Sequence, residues 1–437
     1  MILINEYFNS GLIQYLKKGI HLRYLILLLT LNLFTLNLLA VDATLKIEKD
    51  VEQRARIALV DASPIINDKF FKILLSDLKL SGHFLPDTAH HKGDINSDFL
   101  TPELKGQEYV LKFALTQQSG TKFLVRLLKA SDGTEIFKKR YTMEGTEKAP
   151  FMAHKAIYDI NKLLKYPDIS WINRYVIFSR YTSAKQSEIV LADYTFNYTK
   201  VIIRGGLNLF PKWADKEQKS FYYTSYAGVV PTLYRLNIYS GSKQKIVSSE
   251  GMLACSDVSR DGSKLLLTMA PDGQADIYEF SLFGSKKTRV TKFNGIDVNA
   301  KYVDDESQIV FVSNRLGYAN VFKKSIHSSG VSQVVYHGRN NNVCDAHGDK
   351  IVYSSRESQN TFGENTFNLY LTSSSSSNTR ALTTTGSNQF PRFSPEGSVI
   401  LFIKHRAHGS SIGYINLDSL QSQLFPLSGH KIQSIDW

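Results

Sequence analysis

Only two cysteines, Cys255 and Cys344, occur in 437 residues, which excludes a disulfide framework and the commoner all-cysteine zinc sites. Eleven prolines and 27 glycines are too few for a collagenous or low-complexity chain. Neither a P-loop nor a dinucleotide-binding G-x-G-x-x-G occurs, so the familiar nucleotide cradles are absent. Long hydrophobic runs are missing beyond one stretch near the N-terminus. What is plentiful is aromatic: 25 Phe and 23 Tyr accompany many Val, Ile and Thr, a bias toward strands over helix bundles. Hydrophobic residues at 43% and charged residues at 21% are ordinary for a globular chain and exclude a wholly disordered one. The formal charge of +12 favours anionic partners or surfaces. At ~100–200 residues per domain, two to four domains are expected.

The one apolar run, Tyr24 to Leu39, follows Lys17, Lys18, His21 and Arg23. That layout is a secretory signal peptide, with Ala43 in Val41-Asp42-Ala43 as the last residue removed. The alternative is an uncleaved anchor, but Thr30, Asn32, Thr35 and Asn37 interrupt the run and it falls short of the ~20 apolar residues a spanning helix prefers. Export places the mature chain in a bacterial periplasm and weakens nucleic acid as the reason for the basic charge. The segmentation read from the sequence is a signal peptide at 1–43, an α/β domain at 44–166 and a propeller at 167–437.

Residues 57–61 read as a buried strand. Asn67 to Leu80 carries Phe70, Phe71, Leu74, Leu75 and Leu78 at helical spacing and stops at Ser81-Gly82. Tyr109–Thr116, Lys122–Lys129 and Glu135–Tyr141 alternate like strands, and Pro150 to Lys165 is a second amphipathic helix. Segment 86–106, polar and broken by Gly93, Pro102 and Gly106, reads as a loop. Beyond Tyr166-Pro167 the chain repeats itself. Phe210-Pro211-Lys212-Trp213, Ser256-Asp257-Val258, Tyr302, Cys344 and Phe393 each open a similar unit, and Trp437 opens one more. A period of ~40–50 residues with four short strands is the signature of a propeller blade. Six blades result, the first having a weak innermost strand of its own. Ile432–Trp437 is a strand without a blade, so the C-terminus is expected to supply that missing strand and leave no sheet edge open.

No active site can be read. Gly409-Ser410-Ser411-Ile412-Gly413 matches G-x-S-x-G, yet it falls on a blade hairpin with a strand after it, whereas a nucleophile elbow needs a helix there. His405 and His408 occupy a hairpin loop without a carboxylate or cysteine to complete a metal site; they and His90-His91 read as solvated basic loops. Asp304-Asp305-Glu306 aligns with the Asp-Gly turns of other units and reads as a turn. Cys255 and Cys344 fall on non-adjacent blades and are expected as two buried thiols. No cofactor or metal is expected.

These features together resemble the TolB family of the Tol-Pal envelope system. The carriers are Ile57-Ala58-Leu59-Val60, Leu78-Lys79-Leu80-Ser81-Gly82-His83-Phe84 and Ala153-His154. Phe390-Pro391-Arg392-Phe393-Ser394-Pro395-Glu396-Gly397 and Ser259-Arg260-Asp261-Gly262-Ser263-Lys264 add the repeats. The second, fourth and fifth blades have degenerate turns, and the Pro-Ala-Trp-Ser-Pro ending usual in the family is missing. The resemblance implies a non-enzymatic, monomeric periplasmic scaffold that links the outer-membrane lipoprotein Pal to inner-membrane TolA. Envelope integrity, constriction during division and protein import are the processes it implies; other envelope lipoproteins are possible partners, nucleic acid and small-molecule substrates are not. It assigns TolA binding to Thr44, Leu45, Lys46, Ile47, Glu48, Lys49, Asp50 and Val51, a segment suited to adding to a partner's sheet edge. It assigns Pal binding to the rim formed by the b–c and d–a loops, with family positions at Met252, Cys255 and Val298. The same rim gathers Asn208, Arg315, Asn341, Arg356, Asn388 and Arg406. The rival reading is an exported propeller-type hydrolase or lyase, which grouped carboxylates or a metal would favour.

Overall fold

The computed structural model describes residues 54–437 except 119 and 359–364. The segments expected from the sequence as a signal peptide, 1–43, and as a TolA-binding stretch, Thr44–Val51, lie outside the described residues. By its contacts the chain divides at Ala55, and Arg56–Trp437 forms one compact unit.

The first elements build a mixed sheet. Strand β1 (Ala55–Asp61) is followed by helix α1 (Asp68–Ser81), β2 (Phe84–Pro86), β3 (His91–Lys92), the single-turn α2 (Pro102–Lys105), β4 (Tyr109–Gln117), β5 (Thr121–Lys129), β6 (Glu135–Met143) and α3 (Ala149–Leu163). The sheet order is β2-β1-β4-β5-β6, with β3 also on β1. β1 runs parallel to β4, and the β4-β5-β6 meander is antiparallel. Helix α1 forms where Asn67 caps it, the Asn67 side chain accepting from the Phe70 N–H at 3.0 Å, one of the orphan donors of a helix start. It ends at Gly82, whose φ of 80° suits a left-handed cap. Phe70, Leu74 and Leu78 of this helix are buried.

The polar segment 86–106 is less of a loop than its composition suggests. β3 bonds in parallel to Val60 and Asp61, and Leu104 of α2 is buried with Ala58 and Val110. Nor is His90 solvated: its Nε2 lies 3.0 Å from Asp61 and its Nδ1 3.1 Å from Asp68, while its ring stacks on Phe71. His91 pairs with Asp87 at 2.7 Å.

From Val176 onward the chain forms successive groups of four antiparallel strands, here called blades. Blades 2, 3 and 4 are separate four-stranded sheets, starting at Asn208, Leu253 and Asp297. Blades 5 and 6 start at Arg339 and Ser387 and share one eight-stranded sheet, joined by a single parallel pair, Phe367 with Ser387. Blade 1 takes its first strand from the other end of the chain. Ile432–Asp436 pairs antiparallel with Val176–Ser183, followed by Gln186–Ala192 and Thr199–Ile203. Among the described residues no single sheet closes on itself. The innermost strands nevertheless touch in series from blade to blade, and Ile432–Asp436 touches both Asn208–Trp213 of blade 2 and Ser387–Phe393 of blade 6.

The α/β part packs on the turns that follow the third strands of blades 1 and 6. Asn416 donates from Nδ2 to the carbonyls of Leu80 and Ser81 at 3.1 and 3.3 Å, satisfying carbonyls that the end of α1 leaves open. A Cβ on Gly82 would meet Asn416 and Ser419 at 2.9 Å, so the glycine serves the approach as well as the turn. Gln423 adds a bond to Ser76 at 2.9 Å. In a four-stranded antiparallel blade these turns share a face with the a–b turns. The rim of b–c and d–a loops lies on the opposite face, away from the α/β part.

Candidate interaction rim and central channel

Six charged side chains converge where the innermost strands meet, one from each blade. In blade order they are Asp436, Lys212, Asp257, Lys301, Asp345 and Arg392, carboxylate and cation alternating throughout. Lys212 Nζ lies 3.0 Å from Asp436 and 3.9 Å from Asp257. Lys301 Nζ lies 3.9 Å from Asp257 and 3.0 Å from Asp345. Arg392 Nε, also in the field of Asp345, lies 3.9 Å from Asp436 and completes the circuit. Each carboxylate also accepts a backbone N–H from the blade after it: Trp213 to Asp436 at 2.9 Å, Tyr302 to Asp257 at 3.0 Å, Phe393 to Asp345 at 2.8 Å.

The backbone shows how blades 2, 4 and 6 present both groups. Each inner strand carries a register shift and one non-glycine residue with positive φ: Phe210 at 56°, Asn299 at 55° and Phe390 at 54°. Such a bulge re-aims the residues beside it. The structural repeat is therefore two blades, one giving a carboxylate and the next a cation with its N–H.

Burial governs these charges. Desolvation would raise the Asp345 carboxyl, but Lys301, Arg392 and Lys212 hold it below its ordinary value. Burial pulls the Lys212 ammonium down, yet Asp436, Asp257 and Asp345 lift it above the usual lysine value. Lys301 is the more enclosed, its side chain 3% exposed, and there desolvation prevails and its pKa falls.

Above this ring, at the mouth of the b–c/d–a rim, lies a cavity of about 160 Å³. Phe210, Met252, Val298, Phe390 and Ile435 supply apolar wall, and the charges lining it are the cations Lys212 and Arg392. Met252, Cys255 and Val298, singled out from the sequence, share this wall. Met252 is 38% exposed, whereas Cys255 is buried and burial pushes its thiol up to about 12, as it does that of Cys344. Both cysteines are free.

The other rim residues divide. Arg406 is exposed and Arg356 half-buried, at the ends of Val399–Arg406 and Lys350–Arg356. Arg315 is engaged internally, paired with Asp297 at 3.1 Å and set over the rings of Phe293, Phe311 and Phe322. Asn208, Asn341 and Asn388 are buried, correcting their reading as side chains presented on the loops. Their amides brace the blade-to-blade turns, donating to the carbonyls of Gly205, His337 and Thr385 at 2.7, 2.9 and 2.9 Å.

The sequence motif around Ser411 has no nucleophile geometry. Residues Gly409–Asn416 form one continuous strand, so the whole motif lies within the strand rather than ahead of it. Ser411 is fully buried, and His405 lies 3.3 Å from Ser410 instead. Asp304, Asp305 and Glu306 form a turn with all three residues at positive φ. Among the described residues no group of three or more His, Cys, Asp or Glu could hold a metal.

The charge ring escaped sequence reading although its signal was present. Lys212 and Arg392 stand in the related strings Phe210-Pro211-Lys212-Trp213 and Phe390-Pro391-Arg392-Phe393. Comparing every second repeat aligns them with Lys301.

Residues 172–437 match the family profile described as TolB beta propeller domain. The chain is 45% identical over 410 residues to the Tol-Pal system protein TolB of Wolinella succinogenes, covering 92% of this chain and 97% of that one. It is 38% identical over 418 residues to the protein of the same name from Helicobacter hepaticus, covering 94% and 99% respectively. The crystal structure of TolB from Acinetobacter baumannii superposes with a TM-score of 0.70 at 20% identity, over 88% of this chain and 96% of that one, and shows the same fold. The chain thus belongs to the Tol-Pal system protein TolB family, a non-enzymatic family of envelope proteins.

Proposed function

We propose that the chain is a periplasmic scaffold with two working domains, 44–166 and 167–437. It links the outer-membrane lipoprotein Pal to inner-membrane TolA, in support of envelope integrity and constriction during division. Membership of the Tol-Pal family implies contact with other components of that system. The observation that carries the Pal assignment is the rim cavity, apolar-walled with a cationic floor, on the face that the α/β part leaves open. Arg356 and Arg406 at its periphery would steer and orient an acidic partner surface.

Reversing Arg356 and Arg406 together to Glu should weaken Pal binding about tenfold, the order expected from two rim charges. Titration calorimetry against the cognate Pal domain reads this, with the melting temperature unchanged. Lys264→Glu, on the a–b face, should leave affinity alone; loss of binding there and not at the arginines would put the partner on the other face. For TolA we assign Thr44–Val51. A mature chain beginning at Glu52 should keep its circular dichroism and melting temperature but lose TolA binding in a pull-down, and retained binding would remove that assignment.

A further inference from the structure

A fully buried charged cluster lies where the α/β part meets the propeller. His154 of α3, Asp77 of α1 and Asp193, on the turn after Gln186–Ala192 of blade 1, are each fully buried. His154 Nδ1 lies 2.9 Å from Asp77 and its Nε2 3.2 Å from Asp193. From the same blade 1 turn the Tyr194 hydroxyl donates to Asp77. The Thr195 hydroxyl and the Thr195 and Tyr198 N–H groups, the last two at 2.8 and 2.5 Å, donate to Asp193. A further titratable neighbour is Tyr414 of blade 6, packed against Tyr194 with ring centroids 5.5 Å apart.

A neutral imidazole has one N–H and one lone pair, so only the imidazolium can donate on both sides. Here a carboxylate stands at each nitrogen, one from the α/β part and one from the propeller. We propose that the proton on His154 holds the α/β part against the propeller, so that docking of the two is a proton-dependent contact. The inference rests on reading 44–166 and 167–437 as two domains.

The electrostatics agree in sign. Burial pulls His154 down, but Asp77 and Asp193 outweigh it and push its pKa from 6.5 up to about 9. A raised histidine contributes docking stability that is complete below 6.5 and gone once pH has risen through about 9. Burial also raises Asp77, and a raised carboxyl likewise loses its contribution as pH rises. Burial would lift Asp193 too, but His154, Thr195 and the Tyr198 N–H hold it below 3.8, so its contribution is present above 3.8 and lost only as pH falls through its lower folded value.

Hydrogen exchange of the full chain by mass spectrometry tests this. After correction for intrinsic exchange, protection of peptides covering Asp193–Tyr198 and Asp77–His83 should fall about tenfold per pH unit between 6.5 and about 9, then level off, as one linked proton requires. Peptides from the propeller core at Leu265–Met269 should not follow. His154→Gln should lower interface protection at least tenfold at pH 7 and abolish the slope. Should that variant not fold, the wild-type titration decides alone. Interface protection unchanged from pH 6 to 10, or a His154→Gln protein with wild-type protection and slope, would overturn the proposal. Neither readout uses Pal or TolA, so the outcome is independent of the partner assignment.

Discussion

Removing the six residues Ile432–Trp437 should lower the melting temperature by at least about 10 °C, although they are a small fraction of the chain. Trp437 is buried, its indole N–H donates to the Phe393 carbonyl at 2.7 Å, and its ring packs with Trp171 and Tyr414. Truncating a buried Trp alone costs ~3–5 kcal/mol, and each kcal/mol shifts melting by ~2–4 °C in a domain of this size class. The deletion additionally strips the ladder to Val176–Ser183 and takes Asp436 away from Lys212. Calorimetry on the deletion, on Trp437→Ala and on Asp436→Asn orders these contributions, with the deletion the worst. An unchanged melting temperature for the deletion would mean that the terminal strand contributes nothing to holding blade 1.

The second large effect is expected inside the channel. Lys301→Met should destabilise by ~3–5 kcal/mol, the cost of stranding one half of a buried ion pair. Asp345, deprived of its 3.0 Å partner, would keep the Phe393 N–H but be left with a more distant cation. Adding Asp345→Asn should restore most of the loss, because the amide oxygen still accepts that N–H and no unpaired charge remains. Urea unfolding of the two single variants and the double gives a coupling energy, expected to exceed ~2 kcal/mol. Additivity would show that the pair is not coupled. The sign with pH follows from Asp345, whose folded pKa lies below 3.8: its contribution is complete above that value and disappears as pH falls through the lower folded one.

Where local chemistry dictates structure, the sequence was a good guide. Asn67 and Gly82 bracket α1 as a cap and a stop should, and the alternation of Lys122–Lys129 became β5. The orphan strand at the C-terminus, recognisable because it had no blade to follow, is paired with Val176–Ser183. Short elements were not legible. β3 has two residues and α2 one turn, too few to show a period. Polar residues were misjudged for a different reason. Asn208, Asn341 and Asn388 stand near the starts of inner strands, beside the blade-to-blade loops on which they were expected to face water, but here they replace backbone partners at tight turns. The ring residues stand in or beside strings read only as the openings of repeat units. Nothing along a single strand announces that six such strands face one another. His154 likewise appeared as part of a family string, and its partners Asp77 and Asp193 come from other elements distant in sequence.

The alternation of sign in the channel carries a rule of parity. Charges that alternate around a circuit can meet without conflict only when their number is even. Taking out one blade, or adding one, would seat two ammonium or guanidinium groups side by side, or two carboxylates, in an enclosed space where like charges repel strongly. Losing a carboxylate blade, or gaining a cation blade, would also leave a bulged strand without a carboxylate to receive its N–H. Pairs of blades face no such conflict. Any lengthening or shortening of this propeller, in a laboratory or over generations, is therefore expected to proceed two blades at a time.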